Sequence, residues 1–195
     1  MIGSLKKKNN LASMIRGKAI EEAIRFAFAI HRNHMSIPAA QNYANDIYYL
    51  RTKNLPTTVI KNNAKPINSL VRAGIKAFTF LKIKNLKNND PYKINKSRYI
   101  YPDFKAKKIK LDGQKYENCC VELKVSGENI EESKNKHIRQ CINYSIKSRK
   151  PVVLIYLIFK KHSGNFMSFS SKPIFFLIKK KVVQFLKKST YVYKG

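Results

Sequence analysis

Cys119-Cys120-Val121-Glu122-Leu123-Lys124-Val125 is the stretch on which the fold turns. Side chains alternate across a β-strand, so residues two apart share a face. Val121, Leu123 and Val125 then point into a core, and Glu122 and Lys124 point together to the other side. A rigid apolar strand that carries a carboxylate beside an ammonium is a sound support for a chemical site.

Working outward, residues 99–104 and 107–111 read as short strands. Asp112-Gly113 is a tight-turn dipeptide leading to the Glu122 strand. After Ser126-Gly127, residues 128–148 read as a helix. Glu128, Glu131 and Glu132 sit near its start, and Lys147, Arg149 and Lys150 at its end, a polarity that suits the helix dipole. Residues 152–159 form a buried strand, 162–165 a turn and 166–169 the start of a further strand, while 182–186 read as part of a last basic helix.

Upstream, residues 1–10 are expected as a mobile basic arm. Residues 11–34 read as a helix with Ile20, Ile24, Ala27 and Phe28 on one face. Ser36 caps a second helix, with Pro38 in its first turn, that ends before Pro56. Residues 54–68 read as an irregular Asn- and Pro-containing connection and 87–97 as a polar loop. Over residues 69–86 the pattern divides, helical at 71–76 and strand-like at 77–83. The order strand, hairpin, strand, helix, strand predicts an α/β (α+β) fold. Its central mixed β-sheet is flanked by helices, with an extra helical N-terminal region. Residues 11–195 are expected as one domain, with a helical part over 11–68 and a core over 69–195.

The 195 residues suit one domain with a sizeable core, and 44% hydrophobic content excludes a disordered basic tail. The net charge of +29 calls for a polyanion. Nucleic acid comes first, through counterion release, and an anionic membrane surface second. An AT-rich genome also enriches Lys, Asn and Ile. The basic first ten residues lack the following apolar run of a signal peptide, and no stretch reaches transmembrane length. Cys119, Cys120 and Cys141 make neither a disulfide framework nor a metal spacing, which points to a reducing compartment. His31, His34, His137 and His162 form no cluster by spacing and read as solvated or packing residues. There is no Gly-rich phosphate loop and no nucleophile elbow.

If the strand holding Asp103, in Tyr101-Pro102-Asp103-Phe104, neighbours the Glu122 strand, Asp103 and Glu122 converge on one cation. Mg²⁺ prefers carboxylate oxygens and keeps several waters. Lys124 would orient the attacking water, and the backbone carbonyl of Leu123 is a further candidate ligand. A cation held in this way would suit metal-assisted hydrolysis of a phosphodiester. Lys105, Lys107, Lys108 and Lys110 bracket the site, and Lys134, Lys136 and Arg139 lie on the following helix. All are suited to holding phosphates without reading bases. Tyr92, Tyr99 and Tyr101 suit either base stacking or core packing. Gln140 and Tyr144, four apart, share one helix face.

Pro102-Asp103, a spacer and Glu122-Leu123-Lys124 resemble the signature of the PD-(D/E)XK nuclease superfamily. The resemblance implies a restriction-endonuclease-like core with Asp103, Glu122 and Lys124 as active-site positions. Mg²⁺, or Mn²⁺ in its place, is the implied cofactor. Members often add a first-helix acid, so Glu21 (or its neighbour Glu22) is a candidate third ligand, against a surface pairing with Lys18 and Arg25. Gln140-Cys141-Ile142-Asn143-Tyr144 is similar to the Q-x-x-x-Y helix of the RecB-type exonuclease branch, which lies near the active site and the nucleic-acid strand. Many members dimerise, which makes a homodimer an expectation.

Residues 99–193 also resemble the conserved herpesviral nuclear protein family. That likeness implies Gln140 as the matching helix residue, localisation in the host nucleus or nucleolus and host nuclear proteins as partners. Outside a viral setting, a cytoplasmic enzyme is implied. The first helix departs from that family, because Gly17 is followed by Glu21 with no His at the family's spacing. A phage, plasmid, mobile-element or restriction-type nuclease stays open.

The expectation is therefore a Mg²⁺-dependent endodeoxyribonuclease with DNA as its partner. The alternative is a catalytically inactive nuclease-fold protein that binds nucleic acid or host nuclear factors. A basic structural protein bound to ribosomes or membranes is a third reading.

Overall fold

The computed structural model describes residues 2–29, 36–87, 92–95, 98–111, 113–127, 131–162, 168–179 and 182–185. The expectations for His31, His34, Asp112, Glu128 and residues 163–167 and 186–193 fall outside these. The chain divides into two compact units. The first is Met1–Ile75 with Phe159–Ser171, and the second is Lys76–Ile158 with Lys172–Gly195.

The first unit is helical. It contains α1 (Ile2–Ala29), α2 (Ile37–Thr52), α3 (Thr57–Ala64) and most of α4 (Ile67–Phe80). Ser36 caps α2 as expected, its side chain accepting the Ala39 N–H at 3.3 Å. Ile20, Ile24 and Ala27 of the face read from periodicity are buried and Phe28 is half-buried, while Ala19 and Ala23 are buried beside them.

The first ten residues are not an arm but the start of α1. No proline interrupts them, and Asn9 is tied in by the Asn63 side-chain amide at 3.3 Å. Nor is the 54–68 segment irregular, because α3 occupies its middle. Val59 and Asn63, one turn apart, are both buried. Asn63 accepts from Ser13 Oγ at 2.9 Å and from Arg16 at 3.3 Å, so its polarity is consumed in packing.

α4 continues through residues 77–80, where a strand was the alternative. Ile67, Leu70, Val71, Ala77, Phe78 and Leu81 are buried at helical spacing. In the second unit, Phe78 meets Phe104 edge to face at 5.0 Å.

The second unit holds a six-stranded sheet. Its strands are β1 (Lys84–Lys87), β4 (Phe104–Leu111), β5 (Gln114–Ser126), β6 (Val152–His162), β7 (Ser168–Lys179) and β8 (Val182–Phe185), adjacent in that order. β2 (Tyr92–Asn95) and β3 (Arg98–Ile100) form a separate antiparallel ribbon, so the 87–97 region is not wholly loop.

β4 and β5 are an antiparallel hairpin whose last pair is Leu111 with Gln114. Gly113, at φ 80°, supplies the left-handed residue that so short a turn demands. β5 and β6 are parallel, and α5 (Glu131–Ser148) makes the crossover between them. The sheet is therefore mixed, with helices against it, as the sequence order predicts.

The expected helix at 182–186 is a correction. Val182–Phe185 pair antiparallel with β7, Val183 opposite Ile178 and Phe185 opposite Phe176. Two consecutive β-branched residues suit that role. Among the described residues, no helix is long and apolar enough to cross a membrane.

α5 covers one face of the sheet. Cys141, with Ile138, Ile142 and Tyr144, packs on Cys120, Val152, Leu154 and Tyr156. Val121, paired with Phe104, takes the opposite face. Residues 152–157 are all buried because both faces of β6 are covered, which produces a continuous apolar run rather than alternation.

Candidate functional site

Glu122 and Lys124 lie on the α5 face of β5, with Leu154 and Tyr156 of β6 as their register partners. Asp103 stands one residue before β4, next to the Phe104–Val121 pair, which sets it against Glu122. Its N–H donates to Glu122 Oε2 at 3.3 Å, and its Oδ2 accepts the Leu123 N–H at 2.9 Å. Each carboxylate thus takes a main-chain hydrogen bond from the other's strand. Lys124 Nζ reaches Glu122 Oε1 at 2.5 Å and lies 3.9 Å from Asp103 Oδ2. The three expected residues are brought together.

Side-chain exposure rises from 2% at Glu122 to 11% at Asp103 and 23% at Lys124, so the ammonium marks the open side. Burial, then the nearby Asp103, lifts the Glu122 carboxyl to about 6, against the opposing pull of Lys124. For Lys124, burial alone would lower the ammonium. Glu122 and Asp103 outweigh it and hold the group above the ordinary lysine value.

α5 supplies the fourth expected residue. Gln140 Nε2 donates to Glu122 Oε1 and to the Tyr144 hydroxyl, both at 2.9 Å. Tyr144 in turn donates to the Tyr101 carbonyl at 3.2 Å. Glu122, Gln140, Tyr144 and the chain before Asp103 are therefore one bonded network. Tyr144, on the helix expected near the nucleic-acid strand, ties α5 to the chain before Asp103, and burial raises its hydroxyl pKa.

His137, expected as a solvated or packing residue, is half-buried on α5. It lies one turn before Gln140 and its Nδ1 hydrogen-bonds the buried Tyr156 hydroxyl at 2.8 Å. Burial, then Lys124 and Lys136, pushes the imidazole below its ordinary range. The signal available was the spacing 137, 140, 141, 144, a single helix face that includes both Gln140 and Cys141. Burial pushes the Cys141 thiol far up and Cys119 up to about 12, which leaves neither a ready nucleophile.

Glu21, the expected third ligand, is buried on α1, where Lys18 and Arg25 each reach one of its oxygens at 2.6 Å. Among the described residues, no group of three or more His, Cys, Asp or Glu is gathered that could hold a metal ion. Asp103 and Glu122 still fit a hard divalent cation. They are two adjacent carboxylates at the partly open end of a strand pair, and Mg²⁺ sites commonly use only one or two carboxylates plus water and phosphate.

Lys107, Lys108, Lys136 and Arg139 are exposed, while Lys105 and Lys134 are partly buried. In β4 the buried positions shift from Phe104 and Ala106 to Ile109 and Leu111. The break at Lys107 and Lys108 leaves both lysines in solvent, and Lys108 lies 3.6 Å from Glu117. No protein-family model, curated protein or solved structure matches the chain.

Proposed function

We propose that the protein is a metal-dependent nuclease that hydrolyses phosphodiester bonds of DNA on a restriction-endonuclease-like core. The observation that carries this reading is the meeting of Asp103, Glu122 and Lys124 at the open end of the β4–β5 pair. A surface ion pair needs no buried carboxylate held against its own titration, whereas a catalytic site often does.

Asp103 and Glu122 would hold Mg²⁺ or Mn²⁺. When bound, the cation lowers the pKa of a water and offsets phosphate charge. Lys124, on the solvent side, hydrogen-bonds the attacking water and a non-bridging phosphate oxygen. Gln140 fixes the orientation of Glu122 through Oε1. The water oxygen bonds to phosphorus and gives up a proton. One bridging P–O bond breaks, and the departing oxygen takes a proton, leaving a hydroxyl end and a phosphomonoester end. The net charge of +29 favours a polyanionic substrate.

The test is incubation of the purified protein with plasmid and linear DNA in Mg²⁺, Mn²⁺ or EDTA, beside Asp103→Asn and Lys124→Ala. Metal-dependent cleavage lost in both variants is expected. Equal cleavage by the variants, or none under any metal, rejects the reading.

The second reading is a nuclease-fold protein that binds nucleic acid or host nuclear factors without turnover. The net charge of +29 serves binding without turnover equally well. This reading predicts salt-sensitive DNA binding that survives loss of Asp103, Glu122 and Lys124.

A further inference from the structure

Tyr101 is 61% exposed, the largest exposure of any aromatic side chain among the exposed large hydrophobics described. Its ring is in solvent, but its backbone is fixed. The carbonyl accepts from Tyr144 at 3.2 Å. The next residue, Pro102, is buried and confines Tyr101 to extended backbone. Asp103 follows, with both its N–H and its carboxylate held by β5. Through Tyr144 and Gln140, the same carbonyl is bonded onward to Glu122. The ring is thus a flat apolar surface anchored to the network that positions the carboxylates, two residues from one of them.

From this geometry we infer that Tyr101 is a stacking platform for a nucleobase and that the site prefers single-stranded or locally unpaired DNA. The inference rests on the nuclease reading for the location of the scissile phosphate. A base offers a face to a protein ring only when it has left the duplex stack. An intact duplex presents phosphates and groove edges to a side chain at this place, while an unpaired nucleotide presents a π-face. Stacking tolerates any base, so the Tyr101 ring supplies affinity without sequence readout.

The test uses the full-length protein in EDTA, so that binding is read without turnover. The probes are oligonucleotides carrying one 2-aminopurine, either single-stranded, in a central unpaired bulge, or fully duplexed. Single-stranded and bulged probes are expected to lose fluorescence on binding and the duplex is not. Tyr101→Ala should abolish the quench and weaken single-strand affinity on the order of tenfold, the effect of losing one stacked base. Tyr101→Phe should keep both. Unchanged quenching in Tyr101→Ala, equal affinity for duplex and single strand, or no DNA binding at all overturns the inference. Cleavage assays with Mg²⁺ run in parallel separate the two claims. Quenching without cleavage rejects the nuclease reading and leaves the platform, and cleavage without a Tyr101-dependent quench does the reverse.

Discussion

The backbone N–H of Asp103 donates to Glu122 Oε2 at 3.3 Å, so the two acids are tied through main chain. Asp103 Oδ2 returns the tie by accepting the Leu123 N–H at 2.9 Å. The carboxylates are therefore structural acceptors as well as candidate ligands, and substitutions separate the two roles. Asp103→Asn keeps an oxygen for the Leu123 N–H and loses the charge. It should stay folded while Mg²⁺-dependent cleavage falls by roughly 100-fold or more. Asp103→Ala leaves a buried N–H unmatched and should also cost about 1–3 kcal/mol in urea unfolding. Full activity in Asp103→Asn would remove the residue from the metal site.

Glu122 sets a pH dependence of stability. Its folded pKa, about 6, is above the ordinary value of 4.5. The folded state therefore binds the extra proton. The associated stability is fully present below pH 4.5 and is lost as the pH rises through 6. The size is about 1–2 kcal/mol. Urea unfolding measured from pH 4 to 7.5 should show this decline, and Glu122→Gln should flatten it over the same window. An identical slope in Glu122→Gln would assign the dependence to another group.

A divalent cation competes with that proton, so Mg²⁺ should raise the Tm at pH 7.5 and have little effect at pH 4.5. The shift should vanish in Asp103→Asn and in Glu122→Gln. Thermal scans with Mg²⁺ and with EDTA read this directly, and a shift that persists in both variants would place the ion elsewhere.

The meeting of Asp103 and Glu122 was within reach of the sequence. The two-residue turn at 112–113 pairs Leu111 with Gln114, and stepping back along both strands with the register unchanged sets Asp103 against Glu122. The Gln140–Tyr144 face followed from helical spacing. The same spacing puts His137 on that face, but it does not reveal the Tyr156 hydroxyl that the imidazole bonds. The apolar stretch 77–83 fits either a strand or a helix, and contacts such as Phe78 with Phe104 decide it. In Val182–Phe185, flanking lysines gave the impression of a basic helix. Pairing with β7 overrides that local impression. For Glu21 the sequence left a metal ligand and a pairing with Lys18 and Arg25 both open. Glu21 stands within reach of Lys18 and Arg25 on its own helix, and the local ion pairs claim it.

Gln140 should act on the reaction only through Glu122. Its amide divides its two donors between Glu122 and the Tyr144 hydroxyl, and Tyr144 passes the constraint to the residue two before Asp103. Gln140→Ala frees Glu122 Oε1 from one of its two described side-chain donors, and Tyr144→Phe cuts the link to Tyr101. Each is expected to lower kcat by about tenfold, with KM nearly unchanged. Because both substitutions break the same chain of bonds, the double variant should lose little more than either single one. The corresponding coupling energy is about 1 kcal/mol. Additive losses in the double variant would mean that the two residues serve the site separately and that the Tyr144–Tyr101 bond is only a fastening of α5.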